Sequence, residues 1–204
     1  MAIYSNLNEL AMGTHGIFEA SLLKATISGH LWDCLVVSET TGTNNEVVRT
    51  PIACDNGVCV KVGGFTGNNN GLQERFATIA GVKDKIGVTS SIVNIKDART
   101  DLEATEPYFY VRAGEDSKVY EVIGDEFDGD IFGVGLHQFT AATQSLATTR
   151  GNYVVLDGNG KYVAMNSQPT MSNYGFVAKI HSTWTNGYYT IVRLYVIQNV
   201  DNNV

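Results

Sequence analysis

The dipeptide Asn-Gly occurs four times in this chain of 204 residues, and three of the four copies separate short apolar runs. The copies lie at positions 56–57, 70–71, 159–160 and 186–187. Asn-Gly between apolar runs is the strongest short-range signal for a β-hairpin, because both residues tolerate the positive φ that a type I′ turn requires. We therefore expect short antiparallel strands joined by tight turns.

Side chains near these turns alternate as they do along a strand that buries one face. The alternating positions are Val58, Val60 and Val62, and Phe176, Ala178 and Ile180, with Cys59, Lys61, Val177, Lys179 and His181 between them. A period of two residues places each set on one face of a sheet. Residues 188–197 are apolar on both faces apart from Arg193, which predicts a central strand.

The composition also favours strands over helices. Glycine contributes 21 residues, and charged residues make up 17% of the chain, below the usual quarter. Because Asn and Gly are poor helix formers, we expect a mainly β fold. The sequence predicts an antiparallel, hairpin-rich β-barrel or β-sandwich with one or two short helices and an N-terminal arm. Hairpin-rich chains fit both architectures, so the choice between barrel and sandwich stays open.

Two segments carry apolar residues at helical spacing and are predicted as short helices. One is 17–27, which Gly29 can cap at its C-terminus, and the other is 72–79. The apolar positions that share a face are Phe18, Leu22 and Leu23 in the first segment, and Leu72, Phe76 and Ile79 in the second. Residues 139–149 are rich in Thr and Ala and fit either a short helix or a surface loop.

A polar stretch at 38–45 has the composition of a loop or linker. We place the boundary between an N-terminal arm and the body there, because the residues before it lack the strand-and-turn pattern that follows. The sequence thus predicts an N-terminal arm or small module over 1–45 and a β-rich body domain over 46–204.

The charge balance excludes some partners. The chain carries 14 basic and 21 acidic residues, a formal net charge of −7, so we expect no binding to nucleic acid. The apolar run 31–37 is interrupted by Asp33 and is too short to span a bilayer, so no membrane partner is expected. Residues 1–5 lack the basic residues and apolar core of a secretory signal, which predicts a soluble protein made in the cytoplasm.

The three cysteines are an odd number, and a disulfide framework is not expected in a reducing compartment. On a type I′ hairpin at 56–57, Cys54 and Cys59 would lie opposite each other, where a cross-strand bridge is geometrically possible. Packing side by side as small apolar groups is the favoured interpretation. Three cysteines and four scattered histidines give no recognisable zinc spacing, so no metal and no cofactor are predicted.

The sequence contains no motif that places a nucleophile or a phosphate cradle on a strand-to-helix turn. We therefore predict that the chain is not an enzyme, and we assign no catalytic, cofactor-binding or metal-binding residue. The histidines are far apart in sequence and are interpreted as structural or surface residues; they are His15, His30, His137 and His181.

An acidic cluster is the best local candidate for function, since oxygen-rich loops bind Ca²⁺. Its members are Glu115, Asp116, Glu121, Asp125, Glu126, Asp128 and Asp130. Their spacing does not fit an EF-hand loop, and a solvated turn is the favoured interpretation. A pair of carboxylates for glycoside hydrolysis is the alternative that would make the chain a hydrolase.

Aromatic residues form a second candidate surface. Trp32 and Trp184, together with several tyrosines, fit a sugar-stacking platform, although aromatic residues on strands more often pack in a core or an interface. The tyrosines are Tyr108, Tyr110, Tyr120, Tyr153, Tyr162, Tyr188 and Tyr189.

An ordered series of strand-and-turn elements extends over about residues 50–197. Its segments are 55–63, 73–76, 129–134, 151–158, 176–180 and 192–197. Taken in this order, they resemble the small head proteins encoded beside the major capsid protein in tailed bacteriophages of Firmicutes-type hosts. The first 50 residues have no counterpart in the shorter members of that family.

The resemblance implies a capsid decoration, cement or minor head protein that binds the lattice of the major capsid protein within the virion. A homo-oligomer is expected, and no site residue is carried over from the family. The alternative is a glycan-binding β-sandwich module of a phage fibre or a cell-surface protein.

Overall fold

The computed structural model describes residues 16–20, 23, 31–67, 74–90, 110–111, 113–185 and 189–203. The strands are β1 (Phe18–Glu19), β2 (Leu31–Thr41), β3 (Val47–Pro51), β4 (Cys54–Asp55), β5 (Cys59–Phe65), β6 (Arg75–Ile79), β7 (Gly87–Ser90), β8 (Tyr110–Val111), β9 (Asp116–Glu121), β10 (Ile131–Gly135), β11 (Tyr153–Leu156), β12 (Tyr162–Met165), β13 (Phe176–Thr185) and β14 (Thr190–Asn199). Short 3-10 turns lie at Leu136–Gln138, Ala141–Thr143, Leu146–Thr148 and Met171–Asn173. The mainly β fold predicted from the sequence is confirmed.

Five strands close into a barrel in the order β2-β6-β5-β7-β9, because β9 pairs back onto β2. Strands β2 and β6 run parallel, and the other barrel neighbours run antiparallel. The buried side chains that fill the barrel are Cys34, Val36, Cys54, Val60, Ala77 and Val119. Strand β3 pairs with residues 37–41 of β2, at the end where β2 leaves the barrel.

Six further strands form an antiparallel sheet in the order β1-β10-β14-β13-β11-β12. Its buried face packs against Cys59, Ile86 and Val88 of the barrel in one large core. The largest buried rings of this core are Phe132, Phe139, Tyr162 and Phe176. Their contacting centroids lie 5.5 to 6.5 Å apart, the ordinary range for tilted and edge-on aromatic pairs.

Two buried polar side chains join the sheet to the barrel. The amide of Asn199 accepts a hydrogen bond from the Ile86 N–H at 2.8 Å and donates to the carbonyls of Ile86 at 2.9 Å and Val122 at 2.7 Å. The hydroxyl of Tyr162 donates to the Gly57 carbonyl at 2.8 Å. Because buried polar groups cost free energy unless they are paired, these bonds fix how the two layers meet.

The hairpin predicted at Asn159-Gly160 is confirmed, since β11 and β12 pair on either side of it, but its loop spans residues 157–161 and Asn159 lacks the positive φ of a type I′ turn. Gly160 has φ 78°, and the Asp157 carboxylate accepts hydrogen bonds from the N–H groups of Asn159 and Lys161. Local residues therefore specify this turn without help from distant strands.

The central strand predicted over 188–197 is confirmed as β14, which lies between β10 and β13. Strands β13 and β14 pair as a long hairpin from Thr185 opposite Thr190 to Phe176 opposite Asn199. The predicted turns at 70–71 and 186–187 lie outside the described residues.

The hairpin predicted at Asn56-Gly57 is wrong, because β4 pairs with β8 while β5 pairs with β6 and β7. Of this pair Gly57 alone has a positive φ, at 75°, so the turn is not type I′. Because β4 and β5 have other partners, the turn leads the chain from β4 into β5 without pairing them. Cys54 and Cys59 are buried free cysteines and not cross-strand neighbours.

The helix predicted over 72–79 is wrong where the structure describes it, since Arg75–Ile79 forms β6. Phe76 and Ile79 would share a helical face, but on a strand they point to opposite sides. Ile79 packs on the barrel interior, and Phe76 lies outside, beneath the Arg49 guanidinium. Pairing with β2 and β5 overrides the weak helical pattern.

The helix predicted over 17–27 is also wrong in its described part. Phe18–Glu19 is the edge strand β1 on β10, and Leu23 lies in an irregular segment, while 21–22 and 24–27 lie outside the described residues. Because pairing with β10 satisfies the backbone of β1, a helix is not needed there. The sequence predicts residues 31–41 in the N-terminal arm or module, but they form β2, whose residues 31–36 pair with the barrel strands β6 and β9 of the body.

Residues 139–149, for which a helix and a loop were both open, form two short 3-10 turns. Within the described ranges, no helix is long and apolar enough to cross a membrane.

Candidate functional site

The acidic cluster singled out from the sequence builds a rigid turn. Asp125 Oδ1 accepts hydrogen bonds from the N–H groups of Phe127 at 2.8 Å and Asp128 at 2.9 Å. Asp130 is buried and accepts a hydrogen bond from the Ile123 N–H at 2.7 Å. These carboxylates hold the backbone of the turn, a role that a loop-forming Asp fills well. We call residues 125–129 the aromatic turn.

Strand β14 supports the aromatic turn from below. The Tyr195 hydroxyl donates to the Glu126 carbonyl at 3.0 Å and accepts a hydrogen bond from the Gly129 N–H at 3.2 Å. Gly129 lies so close to β14 that a Cβ there would be 1.8 Å from the Val196 oxygen. The turn is therefore fixed both from within and from the sheet beneath it.

The fixed turn presents Phe127 to solvent. Its side chain is 90% exposed, the highest value among the large exposed apolar residues of the described chain. Glu126 and Asp128 beside it are also exposed. The aromatic turn thus offers an apolar ring with a negatively charged rim, which suits contact with a protein socket.

The other acidic residues of the cluster do not gather into a site. Glu121 accepts a hydrogen bond from Trp32 Nε1 at 3.0 Å and pairs with Lys85. Among the residues that the structure describes, no group of three or more His, Cys, Asp or Glu is arranged to hold a metal ion.

The Asp116 carboxyl group forms a hydrogen bond with the Glu74 side chain, and this contact depends on pH. A hydrogen bond with the Glu74 side chain, followed by partial burial, raises the pKa of Asp116 to about 6 from its ordinary 3.8. Asp33 adds to the increase, and Lys118 opposes it. Because the folded state favours protonated Asp116, its stabilising contribution is complete below about pH 4 and is lost as the pH rises through about 6.

We expect Asp116→Asn to flatten this part of the stability profile. Relative to Asp116→Asn, the wild-type chain should lose on the order of 1 kcal/mol between pH 4 and pH 7, after allowance for solvent screening at a partly exposed pair. Urea unfolding at both pH values measures the change, and Glu74→Gln is the matched variant because it removes the other carboxylate. A stability difference between the wild-type chain and Asp116→Asn that is the same at both pH values would contradict the assignment.

The cysteines are inert packing groups. Burial raises the pKa of each thiol, that of Cys34, Cys54 and Cys59, to about 12, so they are protonated at neutral pH. His137 and His181 lie on different elements, a 3-10 turn and β13, and His15 and His30 lie outside the described residues.

A second exposed element is the hairpin of β2 and β3. Residues 38–51 are exposed throughout except Gly42, which is partly buried, and we call this segment the projecting hairpin. Its loop is closed by a hydrogen bond from the Gly42 N–H to the Glu46 carbonyl at 2.8 Å, and Asn45 takes φ 60°. Val47 and Val48 on β3 are 54% and 42% exposed.

One ion pair steadies the projecting hairpin. Arg49 Nε lies 2.8 Å from Glu39 Oε1, and the Arg49 guanidinium carbon lies 4.5 Å from the Phe76 ring centroid. Since the pair is exposed, its contribution to stability is below about 1 kcal/mol. Its effect is to orient the hairpin over β6.

Arginine and aromatic side chains meet at one end of the barrel. The Arg75 guanidinium carbon lies 4.2 Å from the Trp32 centroid and 4.5 Å from the Phe65 centroid. Arg75 Nε is buried without a hydrogen-bond partner among the described residues. The Arg75 guanidinium therefore covers one face of the Trp32 ring. Trp184 lies on β13, in the other sheet, beside Tyr189. The two tryptophans of the predicted sugar platform lie on different sheets.

A cleft of about 410 Å³ opens at the seam between barrel and sheet, next to His137 and Lys161. Its wall is fastened by Gln138, whose amide accepts hydrogen bonds from the Ile17 and Gly135 N–H groups and donates to the Asn56 carbonyl. Through these hydrogen bonds Gln138 links the six-stranded sheet to the segment that leads into the barrel.

In comparisons with protein-family models, curated proteins and solved structures, no match to this chain is found.

Proposed function

We propose that this chain is a structural protein of a phage virion, one that decorates or cements the head by binding the lattice of the major capsid protein as a homo-oligomer. The order of the strand-and-turn segments between residues 50 and 197 supports this role, because it resembles the order in the small head proteins of tailed phages. The observation that carries it is the exposure of Phe127, which is 90% exposed on a turn held by four hydrogen bonds, two accepted by the Asp125 carboxylate and two made by the Tyr195 hydroxyl.

An exposed ring on a rigid turn is suited to protein contact. Aromatic side chains dominate the binding energy of interfaces when they enter a desolvated pocket. Because the turn is already fixed, little conformational entropy is lost when Phe127 docks. The exposed carboxylates of Glu126 and Asp128 favour a socket whose rim is basic.

A lattice makes such a contact effective. Each shell repeats the same socket many times, so oligomers that engage several sockets bind far more tightly than one contact allows. A protein that binds the assembled lattice and not its free subunits stabilises the assembled state by mass action. Modest single contacts are therefore sufficient for a cement protein.

We expect the purified chain to co-sediment with expanded empty capsids made from the major capsid protein encoded nearest to its gene. Binding should saturate at a fixed number of copies per shell. Phe127→Ser should weaken binding by about ten- to a hundredfold, because burying one phenylalanine contributes roughly 1.5–3 kcal/mol.

The matched control is Val200→Ser, which changes an apolar residue that is 44% exposed at another position. We expect its binding to equal that of the wild-type chain. Wild-type protein that stays in the supernatant at every concentration, or Phe127→Ser protein that binds as tightly as wild type, would refute the proposal.

Glycan binding is the second candidate, and Trp184 is the observation that favours it. Its ring is 47% exposed at the end of β13, and its centroid lies 6.4 Å from that of Tyr189. A sugar array separates the two functions: saturable binding that Trp184→Ala abolishes, without capsid binding, would favour the glycan module.

A further inference from the structure

Strand β3 ends its sheet with an open edge. Within the described ranges β2 is its one paired neighbour, and all five residues of β3 are exposed. A strand edge of this kind displays unpaired N–H and C=O groups and is a template for pairing with another strand.

Two hydrogen bonds show which groups of β3 face outward. The Gly42 N–H donates to the Glu46 carbonyl at 2.8 Å, and the Ile52 N–H donates to the Val36 carbonyl at 3.0 Å. In an antiparallel ladder the residues that exchange hydrogen bonds alternate with those that do not. The backbone groups of residues 48 and 50 therefore face β2, and those of Val47, Arg49 and Pro51 face the open edge.

The composition of the edge limits what can pair with it. Pro51 has no N–H, so the outward donors of the strand are those of Val47 and Arg49. These two residues lie on either side of Val48. An identical strand running antiparallel, with Val48 opposite Val48, would pair each Val47 with an Arg49 and exchange four backbone hydrogen bonds.

Other antiparallel registers of β3 with its copy are less favourable, because they oppose like charges or lose backbone hydrogen bonds. A centre at Arg49 would place two guanidinium groups opposite each other and would pair Val47 with Pro51. A centre at Val47 would pair Arg49 with Asn45, whose φ of 60° lies outside the strand region. Registers shifted by one residue would oppose an outward-facing residue with an inward-facing one. The edge is therefore self-complementary in one register, with no like charges opposed.

We propose that two copies of this chain associate through β3, antiparallel and centred on Val48, to form a continuous sheet across the two projecting hairpins. This inference rests on the homo-oligomer in the proposed function and names the surface that forms it. Two hairpin edges bury less than the roughly 1,200 Å² of a stable interface, so the pair is weak in free solution. Attachment of both copies to a lattice raises their effective concentration and strengthens it.

Cysteine crosslinking tests the register directly. At the proposed centre Val48 forms a non-hydrogen-bonded pair with its counterpart, with Cα atoms about 4.5 Å apart, within the range that a disulfide spans. Val48→Cys protein should form a disulfide dimer in a glutathione redox buffer, seen on a non-reducing gel. The buried native thiols, with their pKa raised to about 12, should not compete.

Two controls make the result specific. Val47→Cys places its thiols two residues out of register, and Val200→Cys places an equally exposed thiol elsewhere; we expect at least tenfold less dimer from each. Adding Val47→Pro to Val48→Cys removes an outward N–H without touching the pairing with β2, and we expect at least tenfold less dimer again.

Equal crosslinking of all three single variants, or no effect of Val47→Pro, would overturn the proposal, as would an absence of dimer from Val48→Cys. Capsid co-sedimentation of the Val48→Cys variant, which is the one expected to crosslink, separates this outcome from the proposed function. If this variant binds the lattice but forms no crosslink, the pairing through β3 is refuted and the virion role stands. If it forms the crosslink but does not bind the capsid, the virion role is refuted and the pairing through β3 stands.

Discussion

Replacing Asn199 by Leu should lower the free energy of unfolding by about 3–5 kcal/mol. Asn199 is 7% exposed, and its amide satisfies three backbone groups, the N–H and carbonyl of Ile86 and the carbonyl of Val122. Leucine has a similar volume, so little cavity forms, but all three groups lose their partner. Each unsatisfied buried group costs roughly 1–3 kcal/mol, and the whole fold is stabilised by only about 5–15 kcal/mol.

Urea unfolding followed by fluorescence measures this loss. Asn203→Leu is the matched control, because its amide hydrogen bonds, to Asp84 and Asp201, are exposed and should contribute less than about 1 kcal/mol. Asn199→Asp adds a second test: the carboxylate would face two carbonyls, so this variant should be less stable at pH 7 than at pH 4. An Asn199→Leu protein as stable as the Asn203→Leu control would show that the amide does not join the layers.

Replacing Gly129 by Ala should cost about 2–4 kcal/mol and displace the aromatic turn. The new Cβ would lie 1.8 Å from the Val196 oxygen and 2.7 Å from the Asp125 oxygen, and both are backbone atoms. Backbone cannot move aside as a flexible side chain does, so the turn must shift from β14 and break the contacts of Tyr195. Because Phe127 is then no longer held, we also expect capsid affinity to fall by at least tenfold.

Gly64→Ala is the control for this variant, since a Cβ there would meet nothing within 4 Å and its φ is not positive. Its stability should stay within about 0.5 kcal/mol of the wild-type chain. Thermal unfolding measures stability and co-sedimentation measures affinity. A Gly129→Ala protein with wild-type stability and affinity would mean that close packing against β14 does not set the turn.

Local signals predicted those parts of the fold whose causes lie within a few residues. At Asn159-Gly160 a positive φ and the side chain of Asp157 specify the turn by themselves. The same dipeptide at 56–57 did not make a hairpin, because β5 pairs with β6 and β7, both further along the chain. At its two described copies Asn-Gly thus marks a turn, but it does not determine which strands the turn joins.

The strand β6 could not be predicted because its apolar environment is supplied from elsewhere. Phe76 packs beneath Arg49 on the projecting hairpin, and Ala77 is buried inside the barrel. A helical spacing of Leu72, Phe76 and Ile79 was the one local pattern available. Parallel pairing of β6 with β2 joins residues 41 positions apart, from Cys34 with Arg75 to Val36 with Ala77, and no local signal encodes it.

The sequence draws attention to the segment 115–130 through its carboxylates, which favour a solvated turn over a calcium loop or a hydrolase pair. In the structure Asp125 and Asp130 accept hydrogen bonds from backbone N–H groups and hold the turn. The exposed group is Phe127, which a sequence pattern would assign to a core. Its exposure follows from Tyr195 and Gly129 fixing the turn against β14, a contact between residues far apart in the chain. The polar segment 38–45 was likewise interpreted as a linker, although it forms half of the projecting hairpin.

Electron cryomicroscopy of capsids assembled with and without this chain tests the virion role most directly. We expect added density at repeated lattice positions, shaped as a small barrel beside a six-stranded sheet, with residues 125–129 inserted into the capsid surface. Shells that carry no added density at saturating protein, or density in which this turn faces solvent, would contradict the role proposed here.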